Sequence, residues 1–373
     1  MKRNRIASGF SIFSSVAAML GVTNRNKETV YFFKPLISVA VFLVGLFFYG
    51  GNIAFSAEAT DTKAKDYYKA DTHTHAWINC YDATPSGGGT DTSGCAPPPR
   101  RYTPEGIMPV DGVLSVWREN GIDHGVLVQV SFMGTDNSYI VEHVEKNDKI
   151  RGVVVLTNAD GTLDETSFND EILQHYHDIG IRGIRLNLNG NNKEQMDAIN
   201  ADMDMETGSP GFKKLWTFIK DHDWHIEAQQ QGEHWVDLIA TLLKTNCRIV
   251  VDHFARPDKT LNVEDPGWKA VLQAGETGRV WMKVSASYRL GVSEEIMQKY
   301  ADQAREHFGI ERLLWGSDFP YTGCKDMPMS CEDSQDYGVL FKRFQKWFPD
   351  ESDQKTILQD NASEVFGFPT KTY

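Results

Sequence analysis

The 373-residue sequence is poor in cysteine and in positive charge, and it lacks the common nucleotide-binding motifs. Its five cysteines form no C-x-x-C pair, so neither a zinc ribbon nor a thioredoxin-type redox site has support. The 38 Lys and Arg stand against 51 Asp and Glu, and the net charge of −13 argues against nucleic acid or an anionic membrane as a partner. No G-x-G-x-x-G turn follows the first strand-like run and no G-x-x-x-x-G-K-[ST] loop occurs, which disfavours dinucleotide and P-loop functions.

The first 59 residues have the pattern of an export signal. Basic residues precede an uncharged apolar run from Leu36 to Tyr49, and Ala57-Glu58-Ala59 supplies a small-residue cleavage pattern. We therefore expect residues 1–59 to be a signal peptide that directs the chain to the periplasm or out of the cell, with residues 60–373 as the mature domain. The alternative is an uncleaved membrane anchor through residues 36–55.

Export would place the cysteines in an oxidising compartment. Cys80 and Cys95 flank one polar loop, and Cys324 and Cys331 flank another, so each pair is a candidate disulfide that closes a short loop. Cys247 lies in an apolar run and is expected to be a buried thiol.

Eight short apolar runs alternate with longer amphipathic segments along the rest of the chain. The runs are rich in Val, Ile and Leu, as strands buried on both faces should be, and helical spacing appears between them, for example at Phe212–Ile219 and Ile296–Phe308. They cover residues 68–75, 124–131, 150–156, 181–188, 224–229, 247–253, 279–286 and 311–318. This alternation predicts an α/β fold, a parallel (β/α)8 TIM barrel, with a doubly wound sheet as the alternative.

Four polar residues stand at the ends of predicted strands, where a TIM barrel carries its active site. His73 and His75 are two apart on the first strand, so both side chains point the same way. His253 ends the sixth run and Asp318 ends the eighth. Imidazoles so placed suit a cation or a carbonyl, and the carboxylate suits a general base that takes a proton from water. Strand-capping or turn-forming roles are the structural alternatives.

Several basic and aromatic residues are expected around the same mouth. A planar guanidinium suits a carboxylate, so together they indicate an anionic or oxygen-rich substrate, although each alone could be a surface ion pair. These residues are Arg185, Arg256 and Arg289 near the ends of the fourth, sixth and seventh runs, and Arg100, Arg101 and Tyr102 in the long first loop.

The motifs at the strand ends resemble those of the amidohydrolase superfamily, in the same order. Within it they are similar to the metal-independent branch of 2-pyrone-4,6-dicarboxylate lactonases, over about residues 68–368. The stretches that carry the resemblance include DTHTH (71–75), RRYTP (100–104), LVQVSFMGTDN (127–137), GIRGIRLN (180–187), VVDHFARPD (250–258), KVSASYRL (283–290) and LLWGSDFP (313–320).

The resemblance implies a metal-dependent-hydrolase-like barrel that opens a lactone, a cyclic ester, of a carboxylated or polyhydroxylated small molecule. It implies that Asp318 is the general base and that His73, His75 and His253 polarise the scissile carbonyl. The substrate-binding positions that it implies are Tyr102, Ser131, Arg185, Gln229, Arg256 and Arg289. Gln229, Asn191 and Tyr321 depart from the tyrosine, arginine and histidine of the branch, which argues against a dicarboxylate and leaves a lactone with fewer charges or a sugar lactone open.

No cofactor is favoured. The fourth run has no lysine near its C-terminal end and the fifth ends in Gln229-Gln230-Gln231, so a binuclear metal site is disfavoured. One zinc on His73, His75 and Asp318 is the alternative. Two other functions stay open: a zinc-dependent decarboxylase of the same superfamily, which would need a histidine at the end of the fifth strand, and an exported binding protein without catalysis.

Overall fold

The computed structural model describes residues 67–78, 107–321 and 336–369 of the chain. The predicted signal peptide, the two candidate disulfides, and Arg100, Arg101 and Tyr102 lie outside these residues. Among the described helices, none combines the length and the apolar character needed to cross a bilayer.

Eight parallel strands form one sheet in sequence order, which confirms the predicted (β/α)8 barrel. Backbone hydrogen bonds from Thr72 N–H to Trp315 C=O (3.0 Å) and from His75 N–H to Phe319 C=O (2.8 Å) join the first strand to the segment that follows the last. The strands are β1 Ala70–Thr74, β2 His124–Val128, β3 Ile150–Val154, β4 Ile181–Asn187, β5 His225–Gln229, β6 Arg248–Val251, β7 Val280–Lys283 and β8 Leu313–Leu314.

The longer helices surround the barrel and bury an apolar face against it. In α5, Phe212, Leu215, Trp216 and Ile219 are buried at the predicted spacing, and Ser209 caps the first turn. The helices are α1 Val110–Glu119, α2 Ser138–Lys146, α3 Asp170–Ile179, α4 Lys193–Met203, α5 Pro210–Asp221, α6 Trp235–Lys244, α7 Pro266–Gly275, α8 Glu294–Phe308, α9 Tyr337–Trp347, α10 Glu351–Lys355 and α11 Asn361–Phe366. A π-helical turn, Thr356–Asp360, joins α10 to α11.

The last helix closes the N-terminal end of the barrel. Val365 and Phe366 of α11, with Phe368 just after it, pack against Val126 of β2 and Val250 of β6 in one apolar cluster. Above this floor the interior becomes polar, because buried charged side chains on β4, β5 and β7 point inward. The floor therefore leaves only the C-terminal end of the barrel for a site.

Candidate active site

The barrel brings the four predicted catalytic residues together around one carboxylate oxygen. The Nε2 atoms of His75, His73 and His253 lie 3.3, 3.7 and 3.8 Å from Oδ1 of Asp318. All four side chains are almost completely buried. Their convergence follows from the parallel strands, whose C-terminal ends meet at one end of the barrel.

The backbone at this end is unusual. His253, Phe254, Ala255 and Arg256 form a run with φ between 47° and 55°, and Asp318 has φ 61°. Residues other than glycine rarely adopt this left-handed region, which costs roughly 1–2 kcal/mol per residue. The surrounding packing therefore holds His253 and Asp318 in strained positions that aim their side chains at the centre.

Asp318 uses its two oxygens differently. The Tyr288 hydroxyl donates a hydrogen bond to Oδ2, and Arg289 Nε donates to the same oxygen at 2.6 Å. Oδ1 has no hydrogen-bond partner among the described residues and faces the imidazoles. Burial raises the pKa of Asp318, but Arg289 and the imidazoles of His253, His75 and His73 together outweigh it and hold that pKa well below its usual range. Asp318 is thus an ionised carboxylate with one oxygen presented to the site.

The ring orientations of His75 and His253 are fixed from behind. His75 Nδ1 lies 2.7 Å from the Val128 carbonyl, which can only accept, so Nδ1 carries the proton and Nε2 has a free lone pair. Burial lowers the pKa of His75 to about 4 and keeps this imidazole neutral. His253 Nδ1 lies 2.8 Å from the Ser285 hydroxyl, and burial lowers its pKa well below the ordinary value.

His73 contacts a buried charge cluster below the centre. Its Nδ1 lies 3.0 Å from Lys283 Nζ, 3.2 Å from Asp252 and 3.3 Å from Glu227. Burial and the nearby Lys283 ammonium lower the pKa of His73. The carboxylates of Asp252 and Glu227 outweigh them, so the pKa of this imidazole is raised overall.

The predicted substrate-binding residues differ in what they contact. Arg185 Nη2 donates to Gln229 Oε1 at 2.5 Å, and its Nη1 donates to the Gln129 carbonyl at 3.2 Å. Arg289 is engaged by Asp318, whereas the sequence predicted it as a ligand for substrate. Ser131 is half-buried in a short turn directly after β2, at the same end of the barrel. Arg185 and Gln229 therefore bind each other across β4 and β5.

Arg256 lines a cavity of about 680 Å³ that extends to Arg289, the hydrogen-bond partner of Asp318. Gln231, His234, Lys259 and Arg289 also line this cavity, together with acidic residues of the loops after β5 and β6. The Nη1 atom of Arg256 is buried and has no hydrogen-bond partner among the described residues. Burial lowers the pKa of Arg256 to about 10, which leaves it positively charged at neutral pH. An anionic group in the cavity would satisfy this donor.

Several residues of the site were not predicted from the sequence. Tyr288 and Ser285 orient Asp318 and His253, and Lys283 and Glu227 form a fully buried ion pair beneath His73. Lys283 and Glu227 could have been identified from the sequence, because each is a charged residue inside a mostly apolar strand run. Asp71 was a further omission: it accepts hydrogen bonds from the Ser317 and His73 N–H groups and from the Tyr337 hydroxyl.

The central residues also fit one metal ion. The ligand atoms of His73, His75 and Asp318 lie within 4.8 Å of one another, and those of His73, Asp252 and His253 form a second such group. Two imidazoles and a carboxylate with an open position are the donor set of a catalytic zinc. His225 lies at the start of β5, with its ring 5.1 Å from the Phe366 ring at the barrel floor, so it does not extend the set toward the mouth.

Comparison with known proteins agrees with this geometry. The amidohydrolase family matches residues 70–368. A 4-sulfomuconolactone hydrolase of Rhizobium radiobacter is 27% identical over 271 residues, covering 72% of this chain and 83% of that protein. A 2-pyrone-4,6-dicarboxylate hydrolase of Comamonas testosteroni is 30% identical over 284 residues, covering 72% and 84%. A crystal structure from Pseudomonas putida that bears the name of the same pyrone hydrolase is 30% identical, with a TM-score of 0.64 over 81% of this chain and 98% of that one.

The chain therefore belongs to the amidohydrolase family, and the predicted resemblance is confirmed. It is an enzyme of the hydrolase class, as the sequence indicated.

Proposed function

We propose that this enzyme hydrolyses a lactone that carries an acidic group. The observation that carries the proposal is the convergence of three imidazole Nε2 atoms on the one oxygen of Asp318 that has no hydrogen-bond partner among the described residues. The acidic group is inferred from Arg256, whose buried Nη1 also has no hydrogen-bond partner among the described residues. The relatives named above support the reaction type, since both are named for lactones that bear sulfonate or carboxylate groups.

The mechanism starts from the arrangement of acceptors around Asp318. The free lone pair of His75 Nε2 and the Oδ1 atom of Asp318 face each other at 3.3 Å, so a group beside them that donates to both would satisfy the two acceptors. A water molecule meets this need. Asp318 takes a proton from that water as its oxygen attacks the lactone carbonyl carbon. This assigns His75 to the water, whereas the sequence assigned all three imidazoles to the carbonyl.

The carbonyl oxygen becomes negatively charged during the attack and requires donors. His73 and His253 have Nε2 atoms without hydrogen-bond partners among the described residues, and both atoms face the same space. They hold the developing oxyanion. When the tetrahedral intermediate collapses, the ring C–O bond breaks and Asp318 returns its proton to the leaving oxygen, giving a hydroxy acid.

A metal ion is not required by this mechanism. A zinc ion held by His73, His75 and Asp318 would supply Lewis-acid activation of the carbonyl. A lactone is an activated ester, however, so hydrogen-bonding imidazoles and a carboxylate base are sufficient. We expect full activity after dialysis against a chelator. Loss of activity that is restored by added zinc would contradict the metal-free mechanism.

A lactone panel tests the function directly. The panel pairs lactones with and without a carboxylate or sulfonate, adds a sugar lactone, and detects the released proton with a pH indicator. We expect turnover of the acid-bearing members, and a KM for them that rises roughly 10–100-fold in Arg256→Met. Absence of proton release across the panel would refute the proposal. Equal turnover of neutral and acidic members, unaffected by Arg256→Met, would refute the acidic group.

A further inference from the structure

The cavity that Arg256 and Arg289 line is larger than a single lactone ring requires. Its volume of about 680 Å³ falls within the roughly 300–1,000 Å³ of pockets that bury drug-sized ligands, whereas one ring with one acidic group is much smaller than such a ligand. Arg289 also donates a hydrogen bond to Asp318, so the cavity begins next to the base. The volume beyond the two arginines is therefore available to a further part of the substrate.

Four apolar residues line this cavity together with the arginines. One of them, Leu261, is 48% exposed, although most large apolar side chains among the described residues are buried. The other three are Pro257, Pro266 and Leu290. An apolar surface that is left open inside a cavity is stabilised when a ligand removes it from water. This part of the lining therefore suits an apolar group of the substrate.

The charged side chains that share this lining do not provide a second anion site. Lys259 is exposed, and Glu233 and Asp258 set two carboxylates against its one ammonium. The Asp258 carboxylate accepts hydrogen bonds from the N–H and the hydroxyl of Thr260, at 2.7 and 2.6 Å, so it is already satisfied. Apart from the two arginines, the lining thus has no excess of positive charge, and a neutral substituent fits it better than a second acidic group.

Hydrogen bonds between the surrounding loops fix the shape of the cavity. The Asp265 carboxylate accepts from Asp258 N–H at 3.1 Å, which closes the loop that carries Leu261. Gly232 N–H donates to the Arg256 carbonyl at 3.1 Å and joins the loops that follow β5 and β6. A cavity that is formed before the ligand arrives binds it with a smaller loss of conformational entropy.

We propose that this cavity binds an uncharged, largely apolar substituent that the lactone carries beside its acidic group, and that Leu261 is the residue that selects for it. The substrate is then an acid-bearing lactone with a substituent of several carbon atoms rather than a bare ring. The proposal rests on the proposed function for the lactone and its acidic group, but binding of the substituent can be measured without turnover.

Three acids that share a ring and a carboxylate test the substituent by isothermal titration calorimetry on the whole enzyme. Phenylacetate, 2-phenylbutyrate and 2-phenylhexanoate differ only in the alkyl chain on the carbon beside the carboxylate. Each buried methylene strengthens binding roughly three- to fourfold, so Kd should fall at least about fivefold from the first acid to the third. A smaller fall, or no binding of any of the three, would overturn the proposal whatever the lactone panel shows. Failure of the panel together with the expected fall in Kd would refute only the reaction.

Leu261→Asn tests the selecting residue, with Val236→Asn as the matched control. Val236 on α6 is 40% exposed and is not among the residues that line the cavity. Because both side chains are exposed, both variants should keep the fold, which circular dichroism checks. We expect the gain in affinity from phenylacetate to 2-phenylhexanoate to shrink to about half or less in Leu261→Asn, and to stay at the wild-type value in Val236→Asn. A wild-type gain in Leu261→Asn, or an equal loss in both variants, would overturn the proposal.

Discussion

At the scale of single residues, the site depends on how Asp318 is held. Two donors on one oxygen leave the other oxygen available to the reacting water, and burial shields it from bulk solvent. The pKa of Asp318 is well below its usual range, so the base is ionised at neutral pH but intrinsically weak. An acidic substrate group that draws Arg289 away from Asp318 would strengthen the base when the substrate is in place.

The hydrogen bond from Tyr288 gives the first residue-scale prediction. Tyr288→Phe removes a donor from Oδ2 of Asp318 without changing the shape of the side chain. This hydrogen bond fixes the orientation of the carboxylate, so its loss lets Oδ1 turn away from the reacting water, and we expect kcat to fall roughly 10-fold or more with the fold intact. Steady-state kinetics check this. Tyr300→Phe is the control, because the Tyr300 hydroxyl is buried without a hydrogen-bond partner among the described residues. Equal kcat in the two variants would contradict the account.

Protonation of His75 gives the second residue-scale prediction. Its pKa is lowered from 6.5 to about 4, so between these values the unfolded chain binds a proton that the native chain does not. The free energy of unfolding should therefore fall as the pH decreases through this window, by about 3 kcal/mol from this residue at most. His225 and His253 act in the same direction, since burial lowers their pKa values too.

The free energy of unfolding is measured by urea unfolding at a series of pH values, for the wild type and for His75→Gln. The variant should lose stability less steeply between about pH 6.5 and about pH 4. Identical slopes for the two proteins would show that His75 is not held neutral by burial.

Residue identity and strand ends were enough to predict which four side chains meet. His73, His75, His253 and Asp318 follow from the strand boundaries alone. The orientation of Arg289 could not be predicted from the strand boundaries. A short turn after β7 directs its guanidinium to Asp318 as well as to the cavity. Lys283 and Glu227 were missed because a sequence does not show which inward charges pair across a barrel.

At the scale of elements, the segment after β8 is packed directly onto β1. A Cβ atom on Gly316 would lie 2.6 Å from the Cβ of His73 and 3.0 Å from its backbone nitrogen. Only glycine therefore lets this segment approach β1 closely enough for Asp318 N–H to bond to the His73 carbonyl at 2.9 Å.

Gly316→Ala should displace His73 from the centre. We expect kcat to fall roughly 10–100-fold, because a shift of about 1 Å at a catalytic group is enough for such a loss. Gly112→Ala in α1 is the control, since its new Cβ would meet mainly the flexible Met108 side chain. A Gly316→Ala enzyme with wild-type kcat would contradict the close packing.

The number and order of the strands were predicted correctly, but the lengths of the individual strands were predicted less well. All eight runs contain a strand, but the run at 311–318 yields only Leu313–Leu314. The residues after Leu314 leave the ladder with β7 and bond to β1, and Asp318 adopts a left-handed backbone conformation. Apolar character predicts burial, whereas strand length depends on such tertiary contacts.

At the scale of the whole molecule, the chain is acidic although its proposed substrate is an anion. The net charge is −13, and removal of residues 1–59 would make it −17, because that segment holds six Lys and Arg but two Glu. Local positive charge from Arg256 and Arg289 must then overcome the general repulsion at the cavity.

Export makes a prediction about thiols. If the chain is exported and cleaved, the protein produced in an export-competent host should have the mass of residues 60–373. Alkylation of the unfolded, unreduced protein should then label Cys247 alone, because Cys80 and Cys95, and Cys324 and Cys331, would be paired. A full-length mass would refute cleavage after residue 59, and five labelled thiols would refute the disulfides.

The most direct test of the whole account is turnover by Asp318→Asn on an acid-bearing lactone that the wild type hydrolyses. The asparagine keeps the shape of the side chain but cannot take a proton from water, so kcat should fall roughly 10³-fold or more while circular dichroism shows an unchanged fold. Asp302→Asn on the exposed face of α8 should keep wild-type kcat. An Asp318→Asn enzyme that retains kcat within about tenfold of the wild type would contradict the assignment of Asp318 as the base.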